Sequence, residues 1–246
     1  MRITKFIELK RLKMNKRIKK RMIFRRRMIF IGIILLLILF VSIWNNSKQD
    51  DNKNVDTTEE AFTEETYKVV IDPGHGGKDV GATGASGLYE KDFTLNLSKK
   101  IKEILEKEQK IQVYMIREDD TFISTKDKYR PKFANELDAD LYISIHGNTF
   151  EDSEVSGTET YYYHEKFKLF AEIMHKHVAN STGFNDRGVR VKDLFVVRDT
   201  DMPSVLLEIG YLTNPQEEQK MLNDELQYSV AEAIGDGVTE YLKIMR

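Results

Sequence analysis

The chain has 246 residues, 41% of them hydrophobic and 32% charged, and a net charge of -2, a balance that excludes a wholly disordered or wholly membrane-embedded protein. It contains no cysteine, which removes disulfide frameworks, thiol nucleophiles and every zinc site built on thiolate, so any metal must be held by His, Asp or Glu. The charge is unevenly placed: residues 1–27 carry 13 Lys and Arg against Glu8 alone, which leaves about -14 for everything after Arg27.

In chain order, the basic tail of residues 1–27 comes first and is expected in the cytoplasm. Met28 to Trp44 reads MIFIGIILLLILFVSIW, an uncharged run close to the roughly 18 to 20 residues that a helix needs to cross hydrocarbon. Arg25, Arg26 and Arg27 before it orient it with the N-terminus inside, and Trp44 sits at the opposite interface. Ser42-Ile43-Trp44 lacks small residues at signal-peptidase spacing, so the run is read as an uncleaved single-pass anchor with the rest of the chain outside, a secreted form being the competing outcome. The basic tail is contiguous with this span and has no interleaved aromatics for base stacking, so nucleic acid is not expected as a partner. Residues 45–66 are polar and acidic and form the expected tether.

A folded domain is expected over residues 67–246, about 180 residues, enough for one substantial core. Residues 67–72 (YKVVID), 111–117 (IQVYMIR), 141–146 (LYISIH) and 204–208 (SVLLE) are apolar, β-rich runs that suit buried strands. Between them, Phe93, Leu97, Ile101, Ile104 and Leu105 fall at three- and four-residue spacing and give residues 92–108 one apolar stripe. Ser124 with Asp127 resembles a cap opening a helix to Leu137; further helices are expected over 166–181, from Asn214-Pro215 to Leu222, and at the C-terminus. Alternating strands and helices predict an α/β fold with a mostly parallel sheet flanked by helices, in which ligands sit beyond the carboxyl ends of the strands.

The chemistry-bearing side chains fall there. His75 follows the first strand in DPGHGG, His146 ends LYISIH, and Glu208 ends SVLLE. Glu90 stands just ahead of the striped helix, held by that helix's N-terminal end. Pro73, Gly74, Gly76 and Gly77 permit a tight turn that aims His75 into a cleft. Two imidazoles and one carboxylate satisfy a His2Glu catalytic zinc site with one position open, and a second carboxylate, for which Glu208 is the candidate, is then needed to move the proton from water to the leaving nitrogen. Any one of these residues alone is more often an ordinary surface or core group; the combination carries the signal. DPGHGG lacks both the Lys-Ser/Thr ending of a P-loop and the spacing of a dinucleotide fold. His164, His175 and His177 are read as surface residues, and Tyr161-Tyr162-Tyr163 as packing residues that alternate across a strand.

Four segments in order, VVIDPGHGGKDVGATG, GLYEKDFTLNLS, ADLYISIHGN and MPSVLLEIGYLTNP, resemble the signatures of the zinc-dependent N-acetylmuramoyl-L-alanine amidases from about Val69 to Tyr241. The resemblance implies zinc held by His75, Glu90 and His146, with Glu208 as the catalytic acid/base, in agreement with the reading above. It implies peptidoglycan as substrate and hydrolysis of the amide between N-acetylmuramic acid and L-alanine. Gly147 stands where the family more often has Ala, and only eight residues separate Asn148 from Gly157, where some members carry an inhibitory helix. Arg130 and Arg187-Gly188-Val189 also resemble family positions, in structural or substrate-binding roles. Two other readings are a zinc peptidoglycan peptidase and a non-catalytic wall-binding activator; Glu208 speaks against the second, because a scaffold needs no proton-shuttling carboxylate. No protein activator is identified by the sequence.

Overall fold

The computed structural model describes residues 66–245, so the basic tail, the expected anchor and the tether up to residue 65 lie outside the described residues. Among the described residues, no helix is long and apolar enough to cross a membrane.

The strands are β1 (Tyr67–Pro73), β2 (Ile111–Met115), β3 (Leu141–Asn148), β4 (Thr158–Tyr162), β5 (Asp186–Val191) and β6 (Ser204–Tyr211). The helices are α1 (Glu90–Leu105), α2 (Tyr129–Glu136), α3 (Lys168–Thr182), α4 (Phe195–Arg198), α5 (Pro215–Met221) and α6 (Asp224–Ile244), with a 3-10 turn at Glu165–Phe167 before α3. One six-stranded sheet runs in the order β2-β1-β3-β6-β4-β5. The pairs β1 with β2, β1 with β3, β3 with β6 and β4 with β5 are parallel; β4 meets β6 antiparallel. The sheet is thus mixed: four strands run one way and the β4–β5 pair returns the other way. A connection of nine residues from β3 to β4, without a helix, lets β4 reverse beside β6.

Side chains alternate across each strand, so each face receives its own set. Val69, Ile71, Leu141, Ile143, Ile145, Val205, Leu207 and Ile209 lie on one face with Phe93, Leu97 and Ile101 of α1, Phe170, Met174 and Val178 of α3, and Val230, Ile234 and Val238 of α6. Val70, Tyr142, Tyr161 and Leu206 lie on the other, with Ala134 of α2 and Val196 and Val197 of α4. Helices of 16, 15 and 21 residues cover the first face, whereas α2 and α4 have only 8 and 4. Toward the carboxyl end of the second face the alternation continues in polar side chains, with Asp72, Ser144 and Glu159 buried and only His146 and Glu208 partly exposed.

Several local expectations change. The arrangement at Ser124 is a turn, with Ser124 Oγ accepting from Lys126 N, and α2 begins only after Lys128 takes a left-handed φ of 48°. Glu90 is the first residue of α1 rather than ahead of it. Asn214 caps α5 as expected, its Oδ1 accepting from Gln216 N and Glu217 N at 3.0 Å each. Tyr161 and Tyr162 join opposite faces as alternation predicts. His175 is not on the surface: it is buried on the inner side of α3, between Thr160 Oγ1 at 3.0 Å and Asp186 Oδ1 at 2.8 Å.

Candidate metal centre

The turn after β1 builds the first part of the site. His75 has φ 61°, a left-handed conformation that costs a non-glycine residue on the order of 1–2 kcal/mol and persists only when neighbours hold it. Two buried arginines do so. Arg130 donates through Nη1 to the Pro73 carbonyl at 2.9 Å and through Nη2 to the His75 carbonyl at 2.7 Å, while Arg117 donates to the Pro73 and Gly74 carbonyls at 3.1 and 2.8 Å. Arg130 also pairs with Asp72, whose carboxylate accepts from Tyr142 Oη and, at 2.9 Å, from Ser144 Oγ. Burial opposes ionisation of Asp72, but Arg130 and these hydroxyls outweigh it and hold its pKa below the usual carboxylate value.

Glu90 is positioned by the same turn. Its backbone N–H donates to the Ala82 carbonyl at 2.9 Å and that of Lys91 to Val80, so the loop caps α1 where no side chain does. Its Oε2 accepts from Ala82 N at 2.8 Å, and its Oε1 accepts from Gly147 N at 3.1 Å, just beyond His146 on β3. His75 Nε2 lies 3.1 Å from Glu90 Oε2 and His146 Nδ1 lies 2.8 Å from Glu90 Oε1, the two rings standing edge to face with centroids 5.0 Å apart. One potential donor atom from each of the three residues lies within 4.8 Å of the others. Asp79 Oδ1 sits 2.9 Å from His75 Nδ1 and fixes the ring from behind, the carboxylate–imidazole pairing typical of metal-binding histidines.

Two glycines leave room for this crowding. A Cβ on Gly74 would stand 2.4 Å from the His146 ring, and one on Gly81 would stand 2.5 Å from Glu90 Oε2. Burial works against a proton on His75, but the hydrogen bonds and charges of Glu90 and Asp79 win and push the imidazole up to about 9. Glu90 is likewise opposed by burial, yet the two imidazoles hold it well below the usual carboxylate range. The oxygen and nitrogen donors, their mutual spacing, the outer-sphere Asp79 and the glycine cradle all fit a divalent metal such as zinc.

Glu208 pairs in register with His146 across β3 and β6. It is half-buried, and its Oε2 is a buried oxygen with no hydrogen-bond partner among the described residues. Burial pushes its carboxyl up to about 7, with Glu90 and Glu159 adding to the shift and His146 and Lys192 opposing it. An unpartnered carboxylate titrating near neutrality can accept and return a proton. All four residues singled out from the sequence therefore converge at one end of the sheet. The supporting Asp72, Asp79 and Arg117 were not anticipated. Only Asp79, a carboxylate four residues after His75, left a local signal. Arg130 and Arg187 are both committed to buried carboxylates, Asp72 and Glu159.

The fold and site define an α/β protein with a candidate metal centre at the carboxyl edge of a mixed sheet. The family profile described as N-acetylmuramoyl-L-alanine amidase matches residues 69–240, and the chain belongs to that family. A probable cell wall amidase LytH from Staphylococcus epidermidis is 36% identical over 176 residues, covering 70% of this chain and 57% of that protein. Its counterpart from Staphylococcus aureus is 35% identical over 189 residues, 76% of this chain and 62% of that protein. The chain thus spans less than two thirds of the length of these relatives. The catalytic domain of the amidase CwlV from Bacillus (Paenibacillus) polymyxa var. colistinus has a TM-score of 0.70 at 46% identity, covering 72% of this chain and 99% of that one. An N-acetylmuramoyl-L-alanine amidase from Clostridium difficile 630 gives 0.70 at 39% identity, covering 73% and 98%.

Proposed function

We propose that this chain hydrolyses the amide between N-acetylmuramic acid and the L-alanine of the peptidoglycan stem peptide, with zinc held by His75, Glu90 and His146. The observation that carries this reading is the pairing of that cluster with an unpartnered, buried carboxylate oxygen on Glu208. A zinc ion in the cluster supplies Lewis acidity, polarising a carbonyl and acidifying water at neutral pH. Asp79 keeps the His75 ring turned toward the cluster, and Glu90 is kept anionic by the two imidazoles. Glu208 takes the proton from the attacking water and delivers it to the nitrogen of L-alanine as the bond breaks. Burial raises its pKa above the usual carboxylate value, which favours holding the proton between the two transfers. His75, His146 and Glu208 are each partly exposed, which leaves the cluster within reach of a polymer.

In the same proposal, residues 28–44 anchor the protein in the cell membrane with the catalytic domain outside. Tethering raises the effective concentration of the domain near the wall without new contacts. The full-length chain is expected to stay with membranes through a high-salt wash; a soluble extracellular form beginning between Trp44 and Tyr67 would contradict the anchor. For the reaction, mass spectrometry of peptidoglycan digested by the purified full chain is expected to show free stem peptides with an L-alanine amino terminus and bare glycan. Products cut within the peptide would replace the amidase reading with a peptidase one.

A further inference from the structure

The face that holds His146 and Glu208 carries cations that neither sit in the metal cluster nor carry a proton in the transfers above. Tyr161 is in register with Arg190 on one side and Leu206 on the other, so Arg190 lies on the face that holds Leu206 and, two residues further along β6, Glu208. Arg187, Arg190 and Lys192 follow one another on or just past β5, the edge strand.

Their situations differ. Arg187 donates through Nε to the buried Glu159 carboxylate, which also accepts from Tyr161 Oη and, at 3.1 Å, from Tyr211 Oη; the Arg187 guanidinium sits 5.4 Å from the Tyr211 ring centroid. That charge is spent. The Arg190 side chain is 53% exposed, with its nearest carboxylate oxygen, on Glu159, 3.9 Å away. Its only hydrogen bond among the described residues runs from Nη2 to the Arg187 carbonyl at 3.2 Å. Lys192 is exposed; its Nζ lies 4.1 Å from the Tyr161 ring centroid and pairs with no carboxylate among the described residues. Arg187 and Arg190 thus share one carboxylate, and Lys192 has none within ion-pair distance among the described residues, in a chain that is about -14 after Arg27.

The substrate's own chemistry says which side of the scissile bond can offer these cations a carboxylate. On the glycan side the lactyl carboxyl is consumed in the amide, whereas on the peptide side the residue after L-alanine is an isoglutamyl unit with an α-carboxylate that is either free or amidated. Strands lie about 4.8 Å apart, which puts Arg190 about 10 Å sideways from the Glu208 row. An extended peptide advances about 3.3 to 3.6 Å per residue, so a stem that runs from Glu208 across the sheet toward β5 brings its second residue within reach of a long Arg or Lys side chain.

We propose that Arg190 and Lys192 form a subsite that reads the free α-carboxylate of the isoglutamyl residue and so selects unamidated stem peptides. The inference rests on the amidase reading above. These contacts weaken when an amide replaces the carboxylate, because the remaining carbonyl oxygen still accepts but the negative charge is gone and the NH2 meets donors rather than acceptors.

The test uses the zinc-loaded full chain and two synthetic muropeptides that differ only in isoglutamate against isoglutamine. Wild type is expected to favour the carboxylate in kcat/KM by about 10- to 100-fold, the range of one or two charge-assisted contacts. The double variant Arg190→Gln/Lys192→Gln is expected to bring that ratio to within about twofold, and added salt to shrink it in wild type. A ratio is independent of how much enzyme is folded. Equal rates for both muropeptides in wild type, or an undiminished preference in the double variant, would overturn the subsite. Cleavage of neither muropeptide by wild type at the muramyl–alanine bond would instead overturn the amidase reading itself.

Discussion

The two faces of the sheet obey the same alternation and come to different ends. On one face the apolar series runs the full length of the strands, from Val69 and Leu141 to Ile145 and Ile209, because three long helices exclude water along all of it. On the other face the apolar series stops after Val70, Tyr142 and Leu206, where α2 supplies Arg130 rather than an apolar side chain, and the next inward positions are Asp72, Ser144, His146 and Glu208. The strands stay in register across this boundary, and the change from apolar to polar side chains on them marks where packing stops and the candidate site begins. The boundary is held by a buried ion pair, Arg130 with Asp72, that braces the strained His75 turn from below.

If that division holds, substitutions on the two faces should fail in different ways. The largest effect is expected at the cluster: His75→Ala and His146→Ala should each lose stoichiometric zinc and fall to background hydrolysis. Retention of one zinc per chain by both variants, measured by metal analysis, would place the metal elsewhere. Zinc uptake should also depend on pH in a defined direction. His75 is raised to about 9, so it is protonated in the metal-free protein at neutral pH and must give up that proton to bind. Apparent zinc affinity should therefore improve by about tenfold per pH unit from about 7 toward 9, with release of about one proton per ion. A flat profile would contradict the His75 assignment.

Next comes the boundary. Asp72→Asn leaves Arg130 buried without its counter-charge and is expected to cost about 3–5 kcal/mol in denaturant unfolding. Because the folded pKa of Asp72 lies below its unfolded value, the stability it contributes is present above the unfolded pKa and is lost as pH falls through the folded one, below about 4. The variant's stability should accordingly approach that of wild type in acid. On the packed face, Leu207→Ala should cost about 2–5 kcal/mol through the cavity it leaves while zinc content in the folded protein stays at one per chain. Loss of zinc in the folded protein would show that the faces are not separable. The smallest effect is expected at Asn214→Ala, where loss of the α5 cap should cost about 1 kcal/mol without touching activity.

The same division explains what the sequence made legible. β1, β3 and β6 are buried on both sides and read as apolar runs. β5 reads DRGVRV, with an exposed edge and charges on the face of the candidate site, and carries no such signal. The parallel sense of β1, β3 and β6 follows from their helical crossovers, but the reversal of β4 depends on a nine-residue connection that composition does not orient. His75, Glu90, His146 and Glu208 stood out because turn glycines and strand ends bracket them. Their supports did not, because Arg130 lies 58 residues from Asp72, and Arg117 lies 43 from Gly74. His175 was misread for a related reason: helical spacing told it from His177 but not which of the two faced inward, and Thr160 and Asp186 settle that only in three dimensions.

If metal binding and proton transfer are separate tasks at this end of the sheet, Glu208→Gln separates them most directly. Glu208 Oε2 has no hydrogen-bond partner among the described residues, so the amide should fold with an unchanged melting temperature and one zinc per chain. Turnover should fall by about 1,000- to 10,000-fold, the upper part of the range for a general acid/base that serves both bond making and bond breaking. Zinc stoichiometry, melting temperature and turnover measured on one preparation decide the matter: near-wild-type turnover in a fully metallated variant, or zinc and stability lost in step with activity, would contradict the account.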